Sequence, residues 1–502
     1  MTITFQHVGF EWPNGKTIFQ NFNFSLNDQV YGLVGPNGVG KTTLARLIGK
    51  TLEPTSGTIL FHENSVYFFE QMENAPALTV AEYLMETSVY EEPALLSFLG
   101  DIPFEQSCHS LSGGEWTRVR LVKAMGSGAR FIILDEPTNH LDQNGRNSIL
   151  KMMEIYDGGL LIISHDRELL EEVDQIIELS SLGVAFFTGP WSDYVQWRDN
   201  EREHLRKSLD IAKRNRDAQI QERQEKLEAQ EKRQKSGQKN ADKGGAPKIL
   251  LGRRKRAAEQ TMGKLDKDSS KELNEAVEKA HEAYQKLKVD EVMFAHLPKV
   301  NLPKGKLVVE ARDFNFQYSD SSGDLWSHDL NFSFSGPSRV AIVGENGSGK
   351  STLLKLILGE EVPGFIKGEL NRGQLEVGFL DQQYSILDHE ETVISNMRKV
   401  SNLTDIEMRN LLAMFLFQGD TVHQVVSSLS GGEKMRVALA KILLTEPTAN
   451  FLVMDEPTNN LDLVNIEFLE TFLNGYKGAL MIVSHDKVFL DRVLFDDIIH
   501  LT

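Results

Sequence analysis

The same four short motifs, in the same order, occur twice along this chain of 502 residues. The first set is Gly35-Pro36-Asn37-Gly38-Val39-Gly40-Lys41-Thr42, then Leu111-Ser112-Gly113-Gly114-Glu115, then Ile132-Ile133-Leu134-Asp135-Glu136-Pro137-Thr138-Asn139, then Ser164-His165-Asp166. The second is Gly344-Glu345-Asn346-Gly347-Ser348-Gly349-Lys350-Ser351, Leu429-Ser430-Gly431-Gly432-Glu433, Leu452-Val453-Met454-Asp455-Glu456-Pro457-Thr458-Asn459 and Ser484-His485-Asp486. The shift between copies is 309 residues for the first motif, 318 for the second and 320 for the third and fourth. So constant a shift marks a duplicated domain. The chain is therefore expected to hold two copies of one architecture, with a third part between them.

At 40% hydrophobic and 25% charged residues, the chain has the composition to form two full cores and a connecting segment. No stretch approaches the uninterrupted apolar run of about 18 or more residues that a membrane helix needs. The start, Met1-Thr2-Ile3-Thr4-Phe5, alternates like a strand rather than a leader peptide, so a cytoplasmic location is expected. A single cysteine, Cys108, excludes an intrachain disulfide framework and any iron-sulfur cluster held by this chain's cysteines; its expected role is inert packing. The formal charge of −18 is unevenly spread. Between Trp191 and Gly305 there are 27 Lys and Arg against 20 Asp and Glu, a local charge of +7 that leaves −25 on the rest. The acidic bodies and the basic middle are built to meet different things.

Each copy opens with an apolar strand, Gln29 to Gly35 or Arg339 to Gly344, that runs into a glycine loop and then a helix starting near Lys41 or Lys350. In that context the loop is a phosphate cradle. Glycines let backbone amides turn inward, the helix N-terminus adds positive potential, Lys41 and Lys350 reach the outer phosphates, and Thr42 and Ser351 suit Mg²⁺. The nucleotide-binding candidates are Gly35, Asn37, Gly38, Gly40, Lys41, Thr42 and Thr43 in the first copy, and Gly344, Asn346, Gly347, Gly349, Lys350, Ser351 and Thr352 in the second. Trp12 and Tyr318 occupy matching places upstream, where an aromatic ring either stacks on a base or packs in the core.

The strands ending in Asp135-Glu136 and Asp455-Glu456 deliver two carboxylates each at the edge where ligands bind in parallel α/β sheets. The first, Asp135 or Asp455, suits the metal. The second, Glu136 or Glu456, suits orientation or deprotonation of an attacking water, and His165 and His485 are placed to bridge it and the terminal phosphate. Gln71 and Gln382 follow strands and are further candidates for the metal or the water, with Gln383 adjoining Gln382. Together these residues describe two sites for ATP hydrolysis with Mg²⁺. Ser112 and Ser430 are expected N-caps of separate helices whose free amides and dipole favour an anion, and Gly113, Gly114, Gly431 and Gly432 permit close approach.

This combination of motifs resembles the ATP-binding cassette superfamily. The resemblance implies an α/β fold with two P-loop NTPase cassettes paired head to tail. Lys41 would then share one ATP with Ser430 and Gly432, and Lys350 the other with Ser112 and Gly114. Asn139 to Asp142 and Asn459 to Asp462 match the loop that links the sites across the interface.

The middle segment, 191–305 between cassettes at 1–190 and 306–502, has its own character. From Trp191 to about Lys235 it lacks proline and is dense in Arg, Lys, Glu and Gln, as in a long exposed helix. A second run, Ala257 to Leu297, carries the heptad seam Leu273, Val277, Ala280, Tyr284 and Leu287. Leu205, Leu209 and Ala212 begin a similar seam that fails at Arg216. Gly244, Gly245 and Pro247 interrupt between the runs, so a long α-helical hairpin linker is expected, its tip at about 236–256 and each arm reaching about 60 Å. Lys213 to Arg256 holds 15 basic and 6 acidic residues, with Arg253, Arg254, Lys255 and Arg256 in a row. Such a run is either a solvated face or a probe for nucleic-acid phosphates.

Two cassettes on one chain joined by a long basic helical linker resemble the ABC-F family. That resemblance implies a monomer that binds the ribosome, its linker near tRNA and rRNA, acting in translation or in antibiotic resistance. Two departures are visible. The first cassette, with 70 positions from Lys41 to Leu111 against 79 in the second, lacks room for the extra arm many members carry, and a C-terminal coiled coil is not expected. A DNA-directed ATPase and the motor subunit of a transporter with a separate membrane chain remain the alternative readings.

Overall fold

A computed structural model of the chain describes residues 2–61, 66–70, 75–85, 87–88, 93–138, 141, 143–180, 183–241, 300, 302–319, 323–345, 347–459 and 461–501. Their strands in the first half are β1 (Ile3–Glu11), β2 (Thr17–Leu26), β3 (Val30–Val34), β4 (Ser56–Phe61), β5 (Val66–Phe69), β6 (Phe131–Asp135), β7 (Gly159–Ile163), β8 (Gln175–Ser180) and β9 (Gly183–Thr188). In the second half they are β10 (Leu307–Tyr318), β11 (Leu330–Ser335), β12 (Arg339–Gly344), β13 (Gly364–Arg372), β14 (Val377–Leu380), β15 (Phe451–Asp455), β16 (Ala479–Val483) and β17 (Asp497–Leu501).

The duplication read from the motifs is a duplication of topology. Each half has a three-stranded antiparallel sheet, ordered β2-β1-β4 and β11-β10-β13. Each also has a mainly parallel sheet, ordered β5-β6-β7-β3-β8-β9 and β14-β15-β16-β12-β17. β9 pairs antiparallel to β8, and the other pairs in these two sheets are parallel. β6 and β7 are buried along their whole length. That is why they read as unbroken apolar runs instead of alternating ones. In each half one core joins the antiparallel sheet, the helix after the glycine loop and the parallel sheet: Phe5, Phe19, Leu44, Ile48 and Phe131 in the first, Phe314, Trp326, Leu353, Ile357 and Val453 in the second. Cys108 is fully buried packing, as expected.

This order places the functional ends together. The loop-bearing strand β3 lies between β7 and β8, with β6 beyond β7, so the C-terminal ends of β3, β6 and β7 adjoin; β12, β16 and β15 repeat the arrangement. Ligands of open parallel sheets bind at such carboxyl ends.

By contact the chain divides into two compact units, residues 1–194 with 293–502, and 195–292. A single helix, Trp191–Ala241, spans 51 residues. It starts after Pro190, where Trp191 and Tyr194 are buried against one another with ring centroids 5.2 Å apart. The sequence places the end of this run near Lys235, yet the helix continues through Ser236 and Gly237. One glycine costs a helix only about 1 kcal/mol, too little to end it. The remainder of the expected hairpin, with its heptad seam and Arg253, Arg254, Lys255 and Arg256, lies outside the described residues.

Candidate functional site

Each glycine loop ends at a left-handed glycine, Gly40 with φ 114° and Gly349 with φ 85°, which starts the following helix, Lys41–Ile48 or Lys350–Leu358. A side chain there would be strained and would also meet Phe19 or Trp326. In the second half the Trp326 indole N–H donates to the Ser348 carbonyl at 2.9 Å and fixes the loop from beneath. Phe19, which meets Gly40, has no such donor.

The lysines fold onto their own loops. Lys41 Nζ donates to the Gly35 carbonyl at 2.7 Å and lies 3.3 Å from Pro36 O and from Asn37 Oδ1. Lys350 Nζ donates to the Gly344 and Glu345 carbonyls, both at 2.8 Å. Burial lowers the Lys41 pKa, against the pull of Glu136, Asp462 and Asp135.

Beside the loops lie the paired carboxylates. Thr42 is hydrogen-bonded to Asp135, and Ser351 Oγ donates to Asp455 Oδ2 at 3.1 Å. Burial raises both aspartates above the usual carboxylate range. Asp135 Oδ1 is buried without a hydrogen-bond partner. An orphaned carboxylate oxygen next to a hydroxyl is a fitting pair of ligands for a small hard cation. Mg²⁺ is such a cation, taking one or two protein oxygens and completing its shell from phosphate and water.

Glu136 and Glu456 turn back from the strand ends in the left-handed region, with φ 48° and 47°. Their amides still donate to the neighbouring strand, Glu136 to the Ile163 carbonyl at 2.8 Å and Glu456 to Val483 at 2.9 Å. This aims each carboxylate at the histidine: His165 Nε2 is 3.3 Å from Glu136 Oε1, and His485 Nε2 is 3.3 Å from Glu456 Oε1. Burial is the main cause of the raised glutamate pKa values, to about 8 for Glu136 and about 7 for Glu456, with Lys41 and Lys350 opposing. Burial also holds His165 well below its usual value, so its imidazole is neutral.

A cavity of about 410 Å³ brings together Trp12, Asn37, Gly38, Gly40, Lys41, Thr42, Thr43, Asp135, Glu136 and His165. A second, of about 300 Å³, brings together Tyr318, Gly347, Gly349, Lys350, Ser351, Thr352, Gln382, Asp455 and Glu456. The Tyr318 hydroxyl is hydrogen-bonded to Thr352. Gln382 lines that site, whereas both Gln382 and Gln383 face an adjoining space with His389, Gly431 and Lys434. Gln71, Asn139, Asp142 and Asn346 lie outside the described residues.

The second half contributes to the first cavity. Thr458, Asn459, Leu461, Ile466 and Asp486 line it, and the Asn37 amide donates to Asp462 Oδ2 at 2.7 Å. Asp462 is held for this by its other oxygen, which caps the next helix by accepting from the Asn465 amide at 2.9 Å. Nearby, buried Arg167 is ion-paired with buried Glu470 of the other half, and Glu470 lies 3.4 Å from Arg492.

Neither Ser112, Gly113 and Gly114 nor Ser430, Gly431 and Gly432 are among the described residues lining the opposite loop's cavity. The groups concerned are satisfied within their own halves. Lys41 is bonded to its own loop, and each signature closes a capping box: Ser112 accepts from the Glu115 amide while Glu115 accepts from Ser112, and Ser430 and Glu433 do the same.

Comparison with known proteins agrees with this architecture. The family model described as "ABC transporter" matches residues 19–139 and 327–459, just over half of the chain. Ribosome protection protein VmlR of Bacillus subtilis is 29% identical over 98% of this chain and 85% of its own length. ABC transporter F family member 2 of Arabidopsis thaliana is 30% identical over 96% of this chain and 74% of its own. Among solved structures, the archaeal ribosome recycling factor aABCE1, in complex with ribosomal stalk protein aP1, superposes with a TM-score of 0.59 at 20% identity, covering 97% of this chain and 86% of that one. Among the described residues no helix is long and apolar enough to cross a membrane.

Proposed function

Since this chain belongs to the ABC-F family of ATP-binding cassette ATPases, we propose that ATP closes its two halves on a ribosome and that hydrolysis releases it. The observation that carries this reading is the Asn37–Asp462 hydrogen bond, in which the first phosphate loop is completed by the other half of the same chain. A nucleotide in that loop touches both halves, so its binding energy goes into holding them together.

Within each site the residues divide the work. Lys41 and Lys350, with the loop amides, hold the phosphates; Trp12 and Tyr318 face the base. Mg²⁺ held at Thr42 and Asp135, or at Ser351 and Asp455 with Gln382 beside them, would neutralise developing phosphate charge. Glu136 and Glu456 take up the proton of the attacking water, and His165 and His485 keep those carboxylates aimed. On closing, Ser430, Gly431 and Gly432 approach the first phosphate site, and Ser112, Gly113 and Gly114 the second. Their capping boxes already fix the helix ends that would point at the phosphates.

The ribosome enters from two directions. VmlR is named a ribosome protection protein and aABCE1 a ribosome recycling factor. This chain carries net positive charge in the middle segment, where Arg253, Arg254, Lys255 and Arg256 suit rRNA or tRNA phosphate. We assign it to the cytoplasm, as a monomer that pairs its own two cassettes, in translation or in protection from ribosome-targeting antibiotics.

The test is the double variant Glu136→Gln, Glu456→Gln. ATP turnover should fall at least about 100-fold, the contribution of a positioned general base, while ATP stays bound and the protein accumulates on ribosomes. Co-sedimentation with ribosomes in ATP no greater than that of the parent would sink the closure model, and ATPase stimulation by duplex DNA alone would replace the ribosome as partner. Replacing Arg253 to Arg256 by alanine should abolish ribosome-stimulated turnover and leave the basal rate intact.

A further inference from the structure

The two halves differ at a largely buried position that lies between the two ATP sites. Arg146 of the helix Gln143–Ile155 stands four residues after Asp142, and the equivalent residue four after Asp462 is Ile466. Arg146 is largely buried, its side chain 14% exposed, and it lines the first cavity. Its guanidinium reaches in two directions. Nε lies 3.4 Å from Asp166 Oδ2, next to His165 of the first site. Nη1 donates to the carbonyl of His485, the histidine of the second site, at 3.4 Å.

Asp166 is itself fixed, because its other oxygen accepts the Glu168 amide at 3.0 Å and caps the helix Arg167–Glu171. Arg146 is thus anchored on the first half and hands a donor to the second. His485 passes that hold on, since its amide donates to Glu456 Oε2 at 3.3 Å and its ring faces Oε1 of the same carboxylate. In the reciprocal direction Ile466 and Asp486 both line the first cavity, and an isoleucine has no donor to offer the His165 carbonyl.

We propose that Arg146 is a positioning residue supplied by the first half to the second ATP site, where it holds His485 and through it Glu456, and that Ile466 leaves the first site without an equivalent. The two sites are then unequal by construction, and turnover at the second depends on the placement of the first half. Arginine suits the task because its fixed positive charge stands beside Asp166 while Nη1 donates to the His485 carbonyl; a lysine offers only a point charge.

The proposal rests on the roles given above to Glu136 and Glu456, and the experiment separates the two. Single-turnover ATP hydrolysis is measured in Glu136→Gln, where the second site is active, and in Glu456→Gln, where the first is active. Each is then combined with Arg146→Ile or with Arg146→Lys. Arg146→Ile should lower the second-site rate about tenfold, inside the roughly hundredfold that an ångström of misplacement costs. The first-site rate, whose cavity Arg146 also lines, should fall by less, so the ratio of second-site to first-site rate falls. Arg146→Lys should fall between, which keeps the test valid if the isoleucine variant folds poorly. A general structural loss would lower both rates together and leave the ratio unchanged; that outcome, or a fall confined to the first site, overturns the proposal. If neither glutamine variant slows hydrolysis at its own site, the glutamate roles fail instead.

Discussion

Glu136 and Glu456 are the residues whose state most depends on the fold around them. Both sit in left-handed backbone, which costs a non-glycine residue about 1–3 kcal/mol and is retained where a site needs its side chain aimed. Both are also buried carboxyls with pKa values raised to about 8 and about 7. Their sign in stability follows directly. Between an unfolded value near 4.3 and the folded value, the native state binds the extra proton, so stability falls as pH rises through that window. Substitution of both by glutamine should remove this slope. Thermal midpoints of parent and double variant, measured without nucleotide from pH 5 to pH 8, should diverge, with the parent losing stability relative to the variant toward the upper end; parallel curves would contradict it. The carboxylates, their order and the histidine partners were legible in the motifs. The left-handed turn was not, because a glutamate adopts it only under the pull of neighbours such as Ile163 and Val483. Arg146 was missed because no motif marks it; only its mismatch with Ile466 in the aligned repeats offered a sign.

At the scale of elements, the signature pentapeptides read as anion-seeking helix starts, and their local structure explains all five positions more fully. Leu111 and Leu429 precede the cap, serine caps, the glycines open the helix, and the glutamate closes a reciprocal box with the serine. The same device, Thr79 with Glu82 and Thr404 with Glu407, begins two further helices that have no part in phosphate chemistry. The last residue of the signature is therefore a structural one. Glu433→Ala should cost about 1 kcal/mol in urea unfolding, the usual worth of a cap. The first signature's cap also weakens in acid: hydrogen bonds from Ser112 hold Glu115 below the usual range. Its contribution is full above the unfolded value near 4.3 and disappears as pH falls through the lower folded value. Strand positions, including the buried parallel strands, were readable from apolar runs. The length of the helix Trp191–Ala241 was underread, because serine and glycine look like a stop in a sequence but are tolerated in a helix already 45 residues long when it reaches Ser236.

Across the whole molecule, the repeat was written into the spacing of motifs, and so was the loop Asn459 to Asp462 that meets Asn37. The rest of the joint was not, because it uses residues that differ between the copies, such as Arg167 and Glu470, whose counterparts are Lys487 and Leu150. Replacing Glu470 with leucine would leave Arg167 buried without its carboxylate. Loss of one partner of a buried pair costs about 3–5 kcal/mol, so this variant should unfold in two steps by calorimetry, with the halves melting apart, where the parent melts in one. Arg167→Leu in the same chain should recover part of the loss, and a single unshifted transition in Glu470→Leu would refute the assignment. The Asn37–Asp462 hydrogen bond spans 425 residues of sequence. At translation rates of about 5–20 residues per second, the loop around Asn37 leaves the synthesising ribosome roughly 20–90 s before its partner does. Throughout that interval the growing chain carries a phosphate loop that still lacks its contact with the second half.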